Sequence, residues 1–225
     1  MIDLLMRRRE MVGKSLTPLE KIIGLGGVMW FPMDGTNGLN DIIGEKVINE
    51  LVSGSLTYDS TYGMYASKLG TTSQGVAGID VSFAAQDFVD GKWTTVVQMR
   101  KYQISSLTRL SHCIRTNHSG AEIVSNLIFF GLNENGSGDT STWTDTVHTT
   151  TVVCGTGLRK IYHNDTLIID DSVNYQHPWG CSKFYFIAYH SSQDGKYVYL
   201  KNLILFNRAL TVEEVSEVYT ILNNI

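Results

Sequence analysis

Apolar and polar positions change rhythm once along this chain. Before Gly27 the apolar residues fall at helical spacing; from Gly27 onward they alternate with a period of two, as half-buried strands do. Val28-Met29-Trp30-Phe31 predicts a strand that stops at Pro32, followed by a turn-rich loop over 33–45. Alternation over 76–83 and 93–101 predicts two more strands. The apolar run over 123–131 is more continuous, which predicts a central strand. Residues 133–146 form the longest polar loop. Residues 147–154 and 158–163 predict a strand pair around Gly155-Thr156-Gly157, and Asn164-Asp165 a two-residue hairpin turn that tolerates positive φ. Two long strands follow at 183–190 and 196–206. Short strands separated by Gly, Asn, Asp and Ser turns predict a β-sandwich.

Two helices interrupt this pattern, and each has a start signal. Thr211 followed by Glu214 is a capping box, with Leu210 and Val215 as its hydrophobic staple. Val215, Val218 or Tyr219, and Leu222 then share one stripe. Thr17-Pro18-Leu19-Glu20 repeats the logic, with Thr as cap, Pro at the first helical position and Glu at the third. Upstream, Met1 to Ser15 predicts a short helix with Ile2, Leu5 and Met6 on one side. Helices this short are marginal alone, so the segment must dock or fray. Its charge also sets it apart. Residues 1–24 carry five basic and three acidic groups, while the remainder carries 13 basic and 19 acidic. The expected organisation is an arm over 1–26 and one domain over 27–225, with Leu5, Met6, Arg7, Arg8 and Arg9 as candidate docking residues.

The closing sequence "LKNLILFNRALTVEEVSEVY" resembles the last strand and helix of laminin-G-like, concanavalin-A-like jelly-roll domains. "VMWFPMDGTNGLNDIIGE" is similar to their opening strand and loop, and "TTTVVCGTGLRKIYHNDTLI" to their mid-domain strand pair. The resemblance covers roughly residues 27–225. It implies an all-β, two-sheet antiparallel jelly-roll sandwich with a short C-terminal helix, here extended by an N-terminal helical arm. It also implies carbohydrate or protein recognition. The sequence departs from the pattern at Asn164-Asp165, where Asn-Gly is usual, and at Tyr197-Val198-Tyr199, where a small Gly is common.

Relatives of this fold that cleave β-glucans hold acidic residues at alternate positions on one strand, with two carboxyl groups about 5–5.5 Å apart. No such run exists here. Asp170-Asp171 reads as a strand-end turn and Glu213-Glu214 as a helix N-terminus favoured by the dipole. The six His residues show no metal spacing, so a non-enzymatic role is expected and no cofactor is implied. Calcium is the one metal with a candidate donor set, Asp34, Asn37, Asn40 and Asp41. Turn residues capping their own backbone explain that set more simply. Cys113, Cys154 and Cys181 form neither a CxxC nor an even set, and read as buried free thiols, with one disulfide and a leftover thiol as the alternative.

Sugar contact wants exposed flat rings beside planar amides and carboxylates. Trp143 in a polar loop with Asn133, Asn135 and Asp139 is one candidate; Tyr175, His177 and Trp179 form another. Trp30 and Trp93 fall in strand patterns and read as core, and Tyr58, Tyr62 and Tyr65 as packing residues. A net charge of −4 argues against nucleic acid. No apolar run approaches the roughly 20 residues of a membrane helix. No secretory signal pattern is present. With unpaired thiols and a basic arm, these features predict synthesis in a host cytoplasm and assembly into a bacteriophage virion as a fibre, tail or head-decoration protein. The opening "MRRREMVGK" is similar to starts of phage structural proteins. The expected partners are a bacterial host glycan and, through the arm, other virion proteins; a homo-oligomer would be economical. The alternatives are a purely structural virion or capsid-decoration protein and a bacterial surface glycan-binding protein.

Overall fold

A computed structural model describes residues 15–44, 46, 48–51, 56–68, 74–80, 85–102, 109–113, 128–130, 146–155, 157–172, 183–189 and 197–225. Over these residues the fold is antiparallel β-sheet with two short α-helices. In chain order the elements are α1 (Pro18–Gly24), β1 (Gly27–Phe31), β2 (Ile48–Leu51), β3 (Leu56–Asp59), β4 (Met64–Lys68) and β5 (Gln74–Asp80). Then come β6 (Trp93–Tyr102), β7 (Arg109–Cys113), β8 (Ile128–Phe130), β9 (His148–Gly155) and β10 (Leu158–His163). The chain ends with β11 (Thr166–Asp171), β12 (Lys183–Tyr189), β13 (Tyr197–Phe206) and α2 (Val212–Asn223).

The strands form two sheets. The first runs β11-β10-β9-β6-β13-β4-β3, with β1 also on β13, and the second runs β2-β5-β12-β7-β8. β13 is the hub of the first sheet. One side pairs with β6 along its length; the other is shared by β4 at Tyr197–Leu200 and β1 at Leu203–Phe206. A bulge between Leu200 and Asn202 separates those two stretches. The run over 123–131, expected to form a central strand, lies only partly within the described residues. Its described part, β8, stands at the end of the second sheet's order, and residues 123–127 lie outside the described ones. A continuous apolar run reports burial on both faces, not rank in the sheet.

Alternation along the strands sorts side chains into two cores. One face of the first sheet contributes Met29, Phe31, Trp93, Val97, Val152, Ile161, Leu203 and Leu205, joined by Ile48 from β2 of the second sheet. The other face contributes Trp30, Val96, Val153, Tyr162, Ile204 and Phe206, covered by Ile22 of α1 and Val215, Val218, Ile221 and Leu222 of α2. Trp30 and Trp93 are both buried. Cys154 is a buried free thiol, and its burial pushes the thiol pKa far up.

Both helices start as capping boxes. The Glu214 amide donates to the Thr211 hydroxyl at 3.3 Å and the Thr211 amide to the Glu214 carboxylate at 2.8 Å. Thr17 and Glu20 repeat the exchange at 3.2 and 2.8 Å. Seven residues of α1 are too few to hold a helix unaided. The described part of the arm is therefore held by this chain's own core, with Ile22 fully buried in it. Gly27 makes that approach possible: a Cβ there would stand 2.6 Å from the Ile22 side chain and 2.8 Å from its carbonyl.

Arg208 ties the two helices together. Its guanidinium donates to both Glu214 carboxylate oxygens, at 2.6 and 2.8 Å, and its Nε donates to the Leu25 carbonyl beyond α1 at 2.8 Å. Hydrogen bonds from Arg208 hold the Glu214 carboxyl below its ordinary pKa against the opposing effect of burial.

Candidate functional site

The sugar-contact residues read from the sequence, Asn133, Asn135, Asp139, Trp143, Tyr175, His177 and Trp179, lie outside the described residues, as do Leu5, Met6, Arg7, Arg8 and Arg9. Cys181 lies outside them as well. The strands that carry the two loops are described. The segment 131–145 links β8 of the second sheet to β9 of the first, and 173–182 links β11 back to β12. Their anchors in the first sheet stand apart. β9 begins at His148, whereas Asp171 at the end of β11 aligns through Arg159 with Cys154, six residues further along β9. At about 3.4 Å per residue the anchors are separated by roughly 20 Å.

His148 forms the foot of the first loop's anchor. Its Nδ1 lies 2.9 Å from His163 Nε2 on β10, and its Nε2 lies 3.3 Å from the Thr146 hydroxyl. Burial, and then the proximity of His148, hold His163 below its ordinary pKa.

The loop between β1 and β2 holds the residues weighed for calcium. Asp34 accepts from the amides of Thr36 and Asn37 at 2.8 and 2.6 Å and from the Asn37 side chain at 3.0 Å. Burial would raise its pKa, but these donors from Asn37 and Thr36 outweigh it and hold the carboxyl below the ordinary value. Asp41 accepts from four backbone amides, Trp30 and Ile43 at Oδ1 and Gly44 and Lys46 at Oδ2, over 2.8–3.2 Å. Asn40 donates its side-chain amide to the Asn37 carbonyl at 2.9 Å. The carboxylate oxygens of Asp34 and Asp41 are thus engaged in fixing the loop. Among the described residues, no group of three or more His, Cys, Asp or Glu is placed to hold a metal.

That fixed loop leans on a tyrosine platform built by the β3–β4 hairpin. Tyr58 and Tyr65 are cross-strand partners with ring centroids 5.5 Å apart. Tyr62, in the hairpin turn, packs edge-on against Tyr199 at 4.9 Å and carries the Arg100 guanidinium 4.0 Å above its ring. The Tyr199 hydroxyl donates to Asp59 at 3.3 Å. Gly35 gives Tyr58 room: a Cβ there would meet its hydroxyl at 2.7 Å. The sequence reading of these tyrosines as packing residues holds for Tyr62 and Tyr65, which are half-buried. Tyr58 is different, being 39% exposed. The platform thus presents one open ring beside the turn residues Gly35 and Thr36. The signal for it in the sequence was the spacing of Tyr58 and Tyr65 about a hairpin turn, which pairs them across strands.

The adjacent acids Asp170 and Asp171 are engaged in structure. Asp170 and Asp171 occupy the last two positions of β11 rather than a turn, and face Lys160 and Arg159 across the ladder. Lys160 pairs with Asp170 at 3.2 Å and Arg159 with Asp171. Consecutive strand residues point to opposite faces, so these two acids do not converge.

No protein-family model matches this chain, and no curated protein matches it by sequence. Solved structures do share its fold. Botulinum neurotoxin type C, which interacts with two ganglioside molecules, superposes with a TM-score of 0.59 at 15% identity, over 89% of this chain and 53% of its own. The binding domain of botulinum neurotoxin DC in complex with rat synaptotagmin II gives 0.60 at 14% identity, over 88% and 52%. The serotype D binding domain gives 0.62 at 12% identity, over 89% and 52%. The chain therefore spans about half the length of these structures.

Proposed function

We propose that this chain is a non-enzymatic glycan-recognition module on a two-sheet jelly-roll sandwich. One observation carries the reading: the fold is shared over nearly nine-tenths of the chain with a toxin that interacts with gangliosides and with toxin binding domains. Among the described residues the exposed Tyr58 ring offers the required chemistry; the sequence segments bearing Trp143 and Trp179 are the other two candidates. A flat ring packs on a sugar's C–H face while nearby amides and carboxylates take its hydroxyls. A single such site holds its sugar at about millimolar affinity, near 4 kcal/mol. Several copies on one support raise the effective affinity without new contacts.

The test is a glycan array probed with full-length protein multimerised on beads, beside Tyr58→Ala and a Trp143→Ala, Trp179→Ala double variant. Loss of binding in one variant assigns the site. Binding by neither parent nor variants on any glycan overturns the reading in favour of a structural role.

The finer placement, on a bacteriophage particle, rests on the basic N-terminal segment, the odd set of cysteines and the similarity of the opening residues to phage structural proteins. The bacterial host glycan and the virion partners belong to this same proposal. Neighbouring genes test it: capsid and tail genes support the particle, and polysaccharide-uptake genes a bacterial surface protein. A truncation test of the docking arm should stop at residue 14. Removing 1–24 would also strip Ile22 from the core and confound docking with folding.

A further inference from the structure

An open groove of about 720 Å³ runs along the outer side of α2. Every turn of the helix from Val212 to Asn224 contributes to one wall, and Leu16 and Pro18 at the start of α1 to the other. Its floor and rim are apolar in places normally covered: Leu16, Val212 and Ile225 are 37%, 50% and 49% exposed. The rim is also acidic. Among the described residues, Glu213, Glu217 and Asp165 line it against one cation, Lys21. Neither Glu217 nor Asp165 has an ion-pair partner among the described residues.

We propose that this groove is the seat of the chain's own N-terminal segment, residues 1–14. Three observations favour this occupant. The segment is tethered at the groove itself, because Ser15 continues directly into Leu16 of its wall. The tether gives it a high effective concentration that no free partner shares. Its charge is complementary: Arg7, Arg8, Arg9 and Lys14 outnumber Asp3 and Glu10, while the groove has three carboxylates and one amine. Its length also fits. A helix of 14 residues would span about 21 Å, and the 12 residues of α2 span about 18 Å. Ile2, Leu5 and Met6, at helical spacing, supply an apolar stripe for Val212 and Ile225, and the arginines then reach the acidic rim.

The proposal does not rest on the glycan reading. It gives the arm a resting place in the isolated chain, from which docking to another protein requires release.

Hydrogen exchange of the full-length protein, read by mass spectrometry on residues 1–14, tests it. The segment should exchange at least about tenfold more slowly than the same sequence as a free peptide. Glu217→Lys, on an exposed position, and Val212→Asp should each return exchange to near the free-peptide rate, while Ile23→Ser, exposed on α1 but outside the groove, should leave it slow. Unprotected amides in the parent protein overturn the proposal. So does protection that survives both groove variants, or protection that disappears on dilution, which would assign the groove to a second copy.

Discussion

A chain of buried polar side chains crosses four strands of the first sheet, and it offers the sharpest test of what holds this fold. The Trp30 indole on β1 donates to Asn202 on β13 at 2.8 Å, Asn202 donates to Gln98 on β6 at 2.8 Å, and Gln98 donates to Thr149 on β9 at 3.1 Å. All four side chains are at most 3% exposed. Water cannot replace a lost partner there, so removing the middle of the ladder should cost more than removing an end. Asn202→Ala orphans the Trp30 N–H and the Gln98 carbonyl oxygen and leaves a small void. Each orphaned buried group costs about 1–3 kcal/mol, so the expected loss is about 3–5 kcal/mol. Against a typical total of 5–15 kcal/mol that is a large fraction. Urea denaturation followed by tryptophan fluorescence measures it, with a lower midpoint at unchanged slope. The double variant Gln98→Leu, Asn202→Leu removes a bonded pair together, so it should cost at least about 1 kcal/mol less than the two single leucine variants summed. A loss below about 1 kcal/mol for Asn202→Ala, or strict additivity in the cycle, would refute the ladder as a stabilising unit.

Three further outcomes are expected. Arg208→Ala breaks a bidentate pair to Glu214 and the bond to Leu25; with the pair partly exposed, the loss should be about 2 kcal/mol, with faster amide exchange in both helices. His163 has a folded-state pKa below its ordinary value of 6.5, so the unfolded chain binds the proton more readily. The stability it contributes is complete above 6.5 and declines as pH falls through that value toward the folded pKa; a urea midpoint equally acid-sensitive in His163→Gln between pH 7.5 and 5 would contradict this. Cys154 is buried with its thiol pKa pushed far up, so mass spectrometry after brief alkylation should find it unmodified in native protein and modified once urea unfolds it.

Most of the fold's logic is written locally, which is why so much of it was legible. Capping boxes at Thr17 and Thr211 need only residues three apart, and both helices begin where those signals stand. The Asn164-Asp165 turn is likewise local: Asn164 takes a φ of 57°, and His163 pairs with Thr166 across it. Alternation announced the longer strands, but not β2, β3, β4 or β7, whose four or five residues are too few to show it. Strand order did not follow from it, because alternation says which face is buried and nothing about which strand lies beside which. Thus β8 takes an end position among the described strands, and β13 gathers β1, β4 and β6 around it through contacts as distant as Trp30 and Asn202. A polar residue such as Asn202 or Gln98 inside a strand pattern reads as solvent-facing until its partners on other strands are known.

The candidate site divides along the same line. Asp34 and Asp41 carry oxygen atoms that a calcium site would want, and spacing alone could not choose between a cation and the loop's own amides. In the structure Asp41 receives four N–H donors, which engages both of its oxygens in the loop. With the loop fixed in this way, Gly35 is pressed against Tyr58 and the hairpin tyrosines gain a rigid neighbour. A rigid aromatic loses little conformational entropy on binding, so it is a better recognition surface than an equally exposed ring on a loose loop. That rigidity makes Tyr58 the leading candidate among the described residues. Tyr58→Ala should therefore remove more glycan binding than either tryptophan substitution alone. The reverse ranking on the same array would move the recognition surface from the hairpin platform to the loops.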